Sequence, residues 1–154
     1  MNTLNTSPAN PPGSPSANVH PLFRRLTEEF RLPALGPDSL AAFAADPGDT
    51  VLFFADDPVR VKESLDLAVI LPEILQAFAG RLRAGVLLPA EANALAARYG
   101  IRRWPALVFV RGGEYVGSIE GLRDWDDYTR ETARLLAAPT TRAPTIGIPV
   151  TSAR

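Results

Sequence analysis

The sequence of 154 residues contains no cysteine and one histidine, His20. Without cysteine the chain has no disulfide, no thiol nucleophile, no zinc–thiolate site and no iron–sulfur ligand. One histidine is too few for a histidine-rich metal site, and it leaves little room for a histidine-based catalytic triad. We therefore expect neither a metal site nor a bound cofactor.

The chain also lacks a strong excess of charge, because 16 Lys and Arg residues face 17 Asp and Glu residues. Such a balance gives no global field that favours nucleic acid. No apolar run reaches the roughly 18 residues of a membrane-spanning helix. The N-terminal residues show neither the basic region nor the apolar run of a secretory signal. We expect a cytoplasmic protein with no nucleic-acid partner and no membrane insertion.

Charged and aromatic residues are concentrated in the middle of the chain. Residues 1–20 contain no Asp, Glu, Lys or Arg and are rich in Asn, Ser and Pro, and prolines recur after residue 138. Such segments bury too little apolar surface to offset the entropy of ordering them. We predict a disordered Pro/Asn/Ser-rich tail over 1–19, one folded domain over 20–137 and a flexible Pro/Thr-rich tail over 138–154. His20, at the border of the first tail, is assigned no role.

Apolar periodicity predicts the secondary structure of the domain. Asp38 is expected to cap the second helix, Pro72 to kink or restart the third, and residues 111–114 to form a hairpin turn. Strands separated by helices favour parallel pairing, and the hairpin adds an antiparallel pair. We predict an α/β fold with a central mixed β-sheet of about four strands flanked by helices. The predicted helices cover about 22–30, 39–45, 61–78, 91–99 and 124–137, and the strands 51–54, 82–88, 106–110 and 115–119.

Two segments of the domain resemble thioredoxin. The stretch YGIRRWPALVFVRGGE over residues 99–114 resembles the second half of that fold. This likeness implies a cis peptide bond between Trp104 and Pro105. Residues 63–72 align with the active-site helix of thioredoxin, and the alignment places Ser64 and Leu67 at the two redox cysteine positions. The resemblance implies a thioredoxin-like fold without thioredoxin's redox chemistry.

A narrower resemblance covers roughly residues 33–137. The chain is similar to the HyaE/HupG/HoxO family, small thioredoxin-like proteins of uptake nickel–iron hydrogenase operons that lack the cysteine motif. The resemblance implies a non-enzymatic maturation chaperone of an uptake nickel–iron hydrogenase. Its implied partners are the twin-arginine signal peptide or precursor of the small subunit, and other hydrogenase maturation proteins. The motifs that carry it are Asp57-Pro58-x-Arg60, Leu71-Pro72-Glu73, Arg103-Trp104-Pro105, Gly121-x-x-Asp124-Trp125 and Tyr128.

A binder of such a signal peptide needs carboxylates beside an apolar groove, because the peptide has a basic region and an apolar region. Residues 56–73 hold five acidic residues against Arg60 and Lys62, a net charge of −3. The candidate apolar surfaces beside them are Val59, Leu65, Leu67 and Trp104. We predict the peptide site in a groove formed by Ser64–Leu67 and Trp104-Pro105, where main-chain pairing would add to arginine–carboxylate contacts. The predicted partner-binding residues are Asp56, Asp57, Arg60, Glu63, Ser64, Asp66, Leu67, Glu73, Trp104 and Pro105.

Several of these residues also have purely structural interpretations. Asp56-Asp57-Pro58 is a strand-ending turn whose carboxylates can be solvated or capping. Trp104 can be buried rather than exposed. Trp125 and Tyr128, three residues apart on a helix, are expected to pack rather than bind. Arg102-Arg103 is expected to be a solvated pair.

Two other functions are left open by the residues themselves. One is a cysteine-free enzyme that uses Ser64 with Glu63 and Asp66, although carboxylate pairs act as acid and base only where their environments split their pKa values. The other is a scaffold subunit of a larger enzyme assembly. Binding of a precursor that depends on its signal peptide separates the chaperone from both.

Overall fold

The computed structural model describes residues 19–145, so the predictions for residues 1–18 and 146–154 lie outside the described part of the chain. The described helices and strands agree in type and order with the sequence predictions. A 3-10 helix, Ala96–Tyr99, follows the fourth helix. The helices are α1 (Pro21–Glu28), α2 (Pro37–Ala44), α3 (Glu63–Ala77), α4 (Pro89–Leu95) and α5 (Trp125–Ala137), and the strands are β1 (Asp49–Phe54), β2 (Arg83–Leu87), β3 (Ala106–Arg111) and β4 (Glu114–Glu120).

The four strands form one mixed sheet in the order β2-β1-β3-β4. β1 pairs in parallel with β2 and antiparallel with β3, and β3 and β4 form an antiparallel hairpin. The predicted α/β thioredoxin-like fold with a mixed sheet is confirmed. One expectation is wrong: β3 follows a helix, yet it is not parallel to its neighbour. β3 lies next to β1 on the side away from β2. It begins at the end of the sheet where β1 and β2 finish, so its direction is opposite to theirs.

Helices cover both faces of the sheet. Apolar side chains of α1, α3 and α5 pack on one face, and those of α2, α4 and the 3-10 helix pack on the other. The continuous apolar run of β1 serves both layers, because Val51 and Phe53 point to the first face while Leu52 and Phe54 point to the second. We refer to the two layers as the α1–α3–α5 face and the α2–α4 face.

Four loops meet at one end of the sheet, and several of the predicted partner-binding residues lie in them. Phe54 at the end of β1 pairs with Leu87 at the end of β2 and with Ala106 at the start of β3. Ala106 in turn pairs with Glu120 at the end of β4. The loops after β1, β2 and β4 and the loop before β3 therefore meet at this edge, which we name the loop end.

The first two helices begin differently from the predictions. His20 caps α1, because its ring Nδ1 accepts a hydrogen bond from the Leu22 N–H at 3.0 Å. His20 is thus part of the domain with a defined role. α2 begins at Pro37 with Gly36 as its N-cap, rather than after a cap at Asp38.

The turn and proline predictions have mixed outcomes. The hairpin turn is confirmed: Gly112 and Gly113 have φ angles of 61° and 85°, as a two-residue type I′ turn requires. The Trp104–Pro105 peptide bond is cis, as the thioredoxin resemblance implied. Pro72 does not restart a helix, because α3 runs through it from Glu63 to Ala77.

Residues 138–145, the first part of the segment assigned to the C-terminal tail, lie against the domain. The Thr141 N–H donates to the Tyr115 carbonyl at 2.7 Å. Pro144 covers Gly100 so closely that a Cβ at Gly100 would lie 2.4 Å from the Pro144 carbonyl oxygen. Gly100 also has a φ of 68°, so both space and backbone conformation favour glycine there.

Candidate functional site

Asp56, two residues after β1, is the centre of a hydrogen-bond network at the loop end. Its Oδ1 accepts from the Arg60 guanidinium at 2.6 Å, the Asn93 amide at 3.0 Å and the Asp57 N–H at 2.7 Å. The Asp56 N–H donates to Ser64 Oγ at 3.0 Å. The network ties the loop after β1 to the first turn of α3 and to α4.

The charge of Asp56 is used inside the protein. The residue is 5% exposed. Burial raises the pKa of its carboxyl, but hydrogen bonds from Asn93, the Asp57 N–H and Arg60 outweigh burial and hold the pKa below its ordinary value. Asp56 is therefore ionised at neutral pH and already paired with Arg60. Asp56 is thus paired within the protein, whereas the Arg60 side chain is 63% exposed.

Ser64 and Leu67, which the resemblance aligns with thioredoxin's cysteines, are both fully buried. They lie three residues apart on the inner side of α3, where Leu67 joins the core of the α1–α3–α5 face. Neither side chain reaches the surface, so neither lines a groove as predicted. The Ser64 hydroxyl, which the enzyme alternative would use as its nucleophile, is buried and accepts a hydrogen bond from the Asp56 N–H.

Trp104 lies in the loop before β3, at the loop end. It is half-buried and packs against the α2–α4 face, whereas α3 lies on the opposite face. The N–H groups of Arg102 and Arg103 both donate to Glu120 Oε1 at 3.0 Å. These main-chain donors before the buried Pro105 are therefore not free to pair with an extended peptide.

The other predicted acidic residues are accessible. Glu63 and Asp66 are exposed in the first turn of α3, near the loop end. Glu73 is also exposed, but it lies ten residues after Glu63, about 15 Å along the helix axis at about 1.5 Å per residue. Asp57 is half-exposed in the loop after β1. Asp57, Glu63 and Asp66 thus share the loop end, and Glu73 stands apart.

A cleft of about 600 Å³ opens at the loop end, and Asp57 lines it together with Glu91. It lies between the start of α1, the loop after β1 and the loop after β2. The Val59 side chain is 89% exposed at its rim. Asp57 holds it there by accepting the Val59 N–H at 2.9 Å, a turn in which the aspartate side chain caps its own loop. We name this feature the loop-end cleft; it is lined by Val19, His20, Phe23, Asp57, Pro58, Val59, Leu88, Pro89, Ala90 and Glu91.

Among the predicted partner-binding residues only Asp57 lines this cleft, although Val59 was also expected as an apolar surface beside the acidic residues. The other lining residues come from three segments that are distant along the chain, and no periodicity reveals that they meet. One local signal was available: Val59 is an apolar residue inside the polar turn Asp56–Arg60, where burial is not expected. Such a residue is a candidate for partner contact.

The chemistry that this site offers is binding of a segment with positive charge and apolar side chains. In residues 19–145, Asp57, Glu63, Asp66 and Glu91 form no ion pair. The same range contains no group of three or more His, Asp or Glu side chains arranged to hold a metal ion. None of its helices is long and apolar enough to cross a bilayer.

Comparison with known proteins gives one family. The sequence model of the family described as hydrogenase-1 expression protein HyaE matches residues 22–128. The hydrogenase expression/formation protein HoxO of Cupriavidus necator is 47% identical over 137 residues, which cover 88% of this chain and 85% of that protein. The hydrogenase expression/formation protein HupG of Rhodobacter capsulatus is 39% identical over 125 residues, 80% of this chain and 91% of that protein.

A solved structure that is similar to this chain is also named as a hydrogenase expression/formation protein. The crystal structure of a HupG hydrogenase expression/formation protein from Rhodopseudomonas palustris is 35% identical to this chain. It aligns with a TM-score of 0.49 over 68% of this chain and 95% of that one.

Proposed function

Because the chain belongs to the HyaE family of hydrogenase expression and formation proteins, we propose that it is a chaperone of hydrogenase maturation that binds the twin-arginine signal peptide of the small-subunit precursor. The family inferred from the sequence motifs is confirmed. The proposed role is non-enzymatic. It is exercised in the cytoplasm, where the precursor waits for its cofactors before export.

The loop-end cleft is the observation that carries this proposal. A twin-arginine signal peptide presents an apolar region, and the cleft offers apolar side chains such as Phe23, Val59 and Leu88. Its volume of about 600 Å³ lies within the range of roughly 300–1,000 Å³ that is typical of ligand pockets. The exposed Val59 would be covered by a bound peptide, which gains the free energy of apolar burial.

The charge around the cleft suits the basic region of the same peptide. Asp57 and Glu91 line the cleft, and Glu63 and Asp66 stand on the first turn of α3. With the exposed Lys62 counted, these four carboxylates give a local net charge of −3. Each arginine of the peptide can bind a carboxylate through two parallel N–H···O bonds. Such a contact depends on geometry as well as on charge.

The buried network around Asp56 supports binding rather than catalysis. It fixes the loop that presents Val59, and it occupies the hydroxyl of Ser64. A rigid loop loses less entropy on binding than a mobile one, which strengthens peptide affinity. The same groups offer no free nucleophile.

The test is capture of the small-subunit precursor by the full-length protein, with the precursor prepared with and without its signal peptide. The informative variant is Glu63→Lys/Asp66→Lys, which reverses charge beside the cleft. The matched control is Glu28→Lys/Glu114→Lys, which makes the same change at the far end of α1 and in the hairpin turn, away from the cleft.

We expect capture that requires the signal peptide, is lost in the Glu63→Lys/Asp66→Lys variant and is retained in the control. Reversal of two charges near the arginines should weaken binding by at least about tenfold. Capture that survives removal of the signal peptide would contradict the proposal and favour the scaffold alternative. Equal capture by both charge variants would contradict the placement of the site.

A further inference from the structure

Three arginines lie together at the loop end on the side of β4. Arg103 and Arg123 line a shallow cavity of about 280 Å³ over Ser118 and Glu120. Arg102 precedes Arg103 in the exposed loop before β3. The Arg103 side chain extends towards the loop after β4, because a Cβ at Gly121 would lie 3.9 Å from its Cδ. The two loops are therefore in contact and present their cations side by side.

The guanidinium groups of these arginines have no ion-pair partner in the described part of the chain, unlike those of Arg60 and Arg111. Arg123 Nε donates to the main-chain oxygen of Glu120 at 3.2 Å, and its remaining donors are free of carboxylates. Unpaired arginines that share one surface are suited to an anionic partner.

The neighbouring carboxylates are mostly engaged elsewhere. Glu120 accepts two main-chain N–H groups and the Ser118 hydroxyl. Asp124 accepts the Asp127 N–H at 2.9 Å as the N-cap of α5. Farther along α5, Asp127 pairs with Arg130 and Glu131 pairs with Arg134. Asp126 is exposed beside the arginines, and its charge opposes an anionic partner.

Two large apolar side chains are exposed next to the arginines. Leu122 is 39% exposed and Trp125 is 44% exposed. Tyr128, which was expected to pack together with Trp125, is fully buried and accepts the Arg123 N–H with its hydroxyl at 3.2 Å. Trp125 therefore does not pack as predicted but stands at the surface. Tryptophan and arginine are the residues that most often dominate the binding energy of protein interfaces.

We propose that this surface, the arginine patch of Arg102, Arg103, Leu122, Arg123 and Trp125, binds an acidic segment of a partner protein that also carries a large apolar side chain. The arginines pair with the carboxylates of the segment, and Trp125 and Leu122 cover its apolar side chain. A protein segment can space its carboxylates so that they face the arginines and avoid Glu120, Asp124 and Asp126. A continuous phosphate backbone would also meet these three carboxylates, so a protein partner fits better than nucleic acid.

The arginine patch is a second surface, distinct from the loop-end cleft. The cleft and the first turn of α3 are acidic, whereas the patch on the other side of the loop end is basic. A positively charged signal peptide is disfavoured at the patch by like charge. The inference therefore goes beyond the proposed function and stands whether or not the signal peptide binds.

The test uses a short fluorescein-labelled peptide in which Glu and Asp residues flank a Leu-Trp pair, titrated with the full-length protein. Two peptide controls replace the acidic residues by Gln and Asn, or the Leu-Trp pair by Ala-Ala. A single-stranded DNA oligonucleotide of similar length probes non-specific anion binding. The protein variants are Arg102→Glu/Arg103→Glu/Arg123→Glu, Trp125→Ala and Asp126→Asn, and the control is Arg81→Glu, an exposed arginine distant from the patch.

We expect the triple charge reversal to weaken peptide binding by at least about tenfold, and Trp125→Ala by roughly three- to tenfold. Asp126→Asn should strengthen binding by about twofold, because it removes a charge of the same sign as the ligand. Arg81→Glu should bind as the wild type does. Added salt should weaken the interaction, since the contacts are exposed.

The proposal is overturned if the triple variant or Trp125→Ala binds as tightly as the wild type, or if the neutral peptide does. Equal affinity for the oligonucleotide would show a non-specific anion surface and would overturn it too. Should the triple reversal fail to fold, chemical-shift mapping on the wild type decides: perturbed amides must centre on residues 102–103 and 121–125. Shifts centred elsewhere contradict the placement.

Discussion

Asp56 and Thr132 are two buried polar side chains with opposite surroundings. The Asp56 carboxylate accepts three hydrogen bonds at the loop end. The Thr132 hydroxyl, inside α5, is fully buried and has no hydrogen-bond partner in the described part of the chain. A buried polar group without a partner costs roughly 1–3 kcal/mol. At the residue scale, the Asp56 carboxylate therefore stabilises the fold, whereas the unpaired Thr132 hydroxyl destabilises it.

Replacement of Thr132 by valine should stabilise the protein. Thr132→Val keeps the shape of the side chain and removes the unpaired hydroxyl, so we expect the free energy of unfolding to rise by up to about 1 kcal/mol. The control Thr132→Ser keeps the hydroxyl and loses the methyl group. It should lower the free energy of unfolding by about 0.8 kcal/mol. Urea denaturation measures both; a Thr132→Val protein less stable than the wild type would contradict the assignment.

The contribution of Asp56 should depend on pH with a definite sign. Its folded-state pKa lies below the ordinary value, so its ionised form stabilises the fold above the unfolded-state pKa of about 3.9, and this stabilisation is lost as pH falls through the lower folded-state pKa. At pH 7 Asp56→Asn should cost roughly 1–3 kcal/mol, because a charged acceptor of three bonds is replaced.

Urea denaturation at several pH values checks this expectation. The difference between wild type and Asp56→Asn should be constant above about pH 5 and shrink towards pH 3. The control Asp126→Asn removes an exposed carboxylate in the first turn of α5 and should change the free energy of unfolding at pH 7 by less than about 1 kcal/mol. A difference between wild type and Asp56→Asn that is the same at pH 3 and pH 7 would show that the charge of Asp56 is not what stabilises the loop.

At the scale of elements, Arg111 joins the sheet to the last helix. Its guanidinium pairs with Asp49 on β1 at 2.8 Å. It also donates to the carbonyls of Leu135, Leu136 and Ala138 at the C-terminal end of α5. The last carbonyls of a helix lack partners in a following turn, although the Leu135 carbonyl also accepts the Ala138 N–H at 3.2 Å. A cation at this end also suits the helix dipole. One side chain thus fixes where α5 ends on the sheet.

Arg111→Met should lower the free energy of unfolding by about 2–3 kcal/mol, because it removes the donor of a partly buried carboxylate and of the Leu136 and Ala138 carbonyls. The matched control is Arg134→Met, whose guanidinium is 60% exposed and pairs only with Glu131. The loss of that surface pair should cost less than about 1 kcal/mol. Equal thermal unfolding of the two variants would contradict the role of Arg111.

The elements were predictable from the sequence to a large degree, because they follow from local patterns. The apolar run of β1, the Gly112-Gly113 turn and the proline before β3 each determine local structure with few alternatives. The direction of β3 and the face against which Trp104 packs were not predictable in this way, since both depend on the order of strands in the sheet. Asp56 illustrates the same limit: its partner Asn93 lies 37 residues away in sequence.

At the scale of the whole molecule, the absence of cysteine corresponds to a change at the loop end. Ser64 and Leu67, which the resemblance aligns with thioredoxin's two cysteines, are buried, and the Ser64 hydroxyl accepts a hydrogen bond from the loop after β1. The surface of the loop end is divided between an acidic, apolar cleft and a basic patch. The acidic residues of this surface were predicted from the sequence, but the cleft was not. The cleft forms where the start of α1 meets the loops after β1 and β2.

Chemical-shift mapping tests the central claim most directly. The full-length protein labelled with ¹⁵N is titrated with the isolated twin-arginine signal peptide, and with the same peptide carrying two glutamines in place of the arginines. The account predicts perturbed amides around Phe23, Val59, Leu88 and Glu91, and binding that weakens by at least about tenfold without the arginines. No binding, or perturbations centred away from the loop-end cleft, would contradict it.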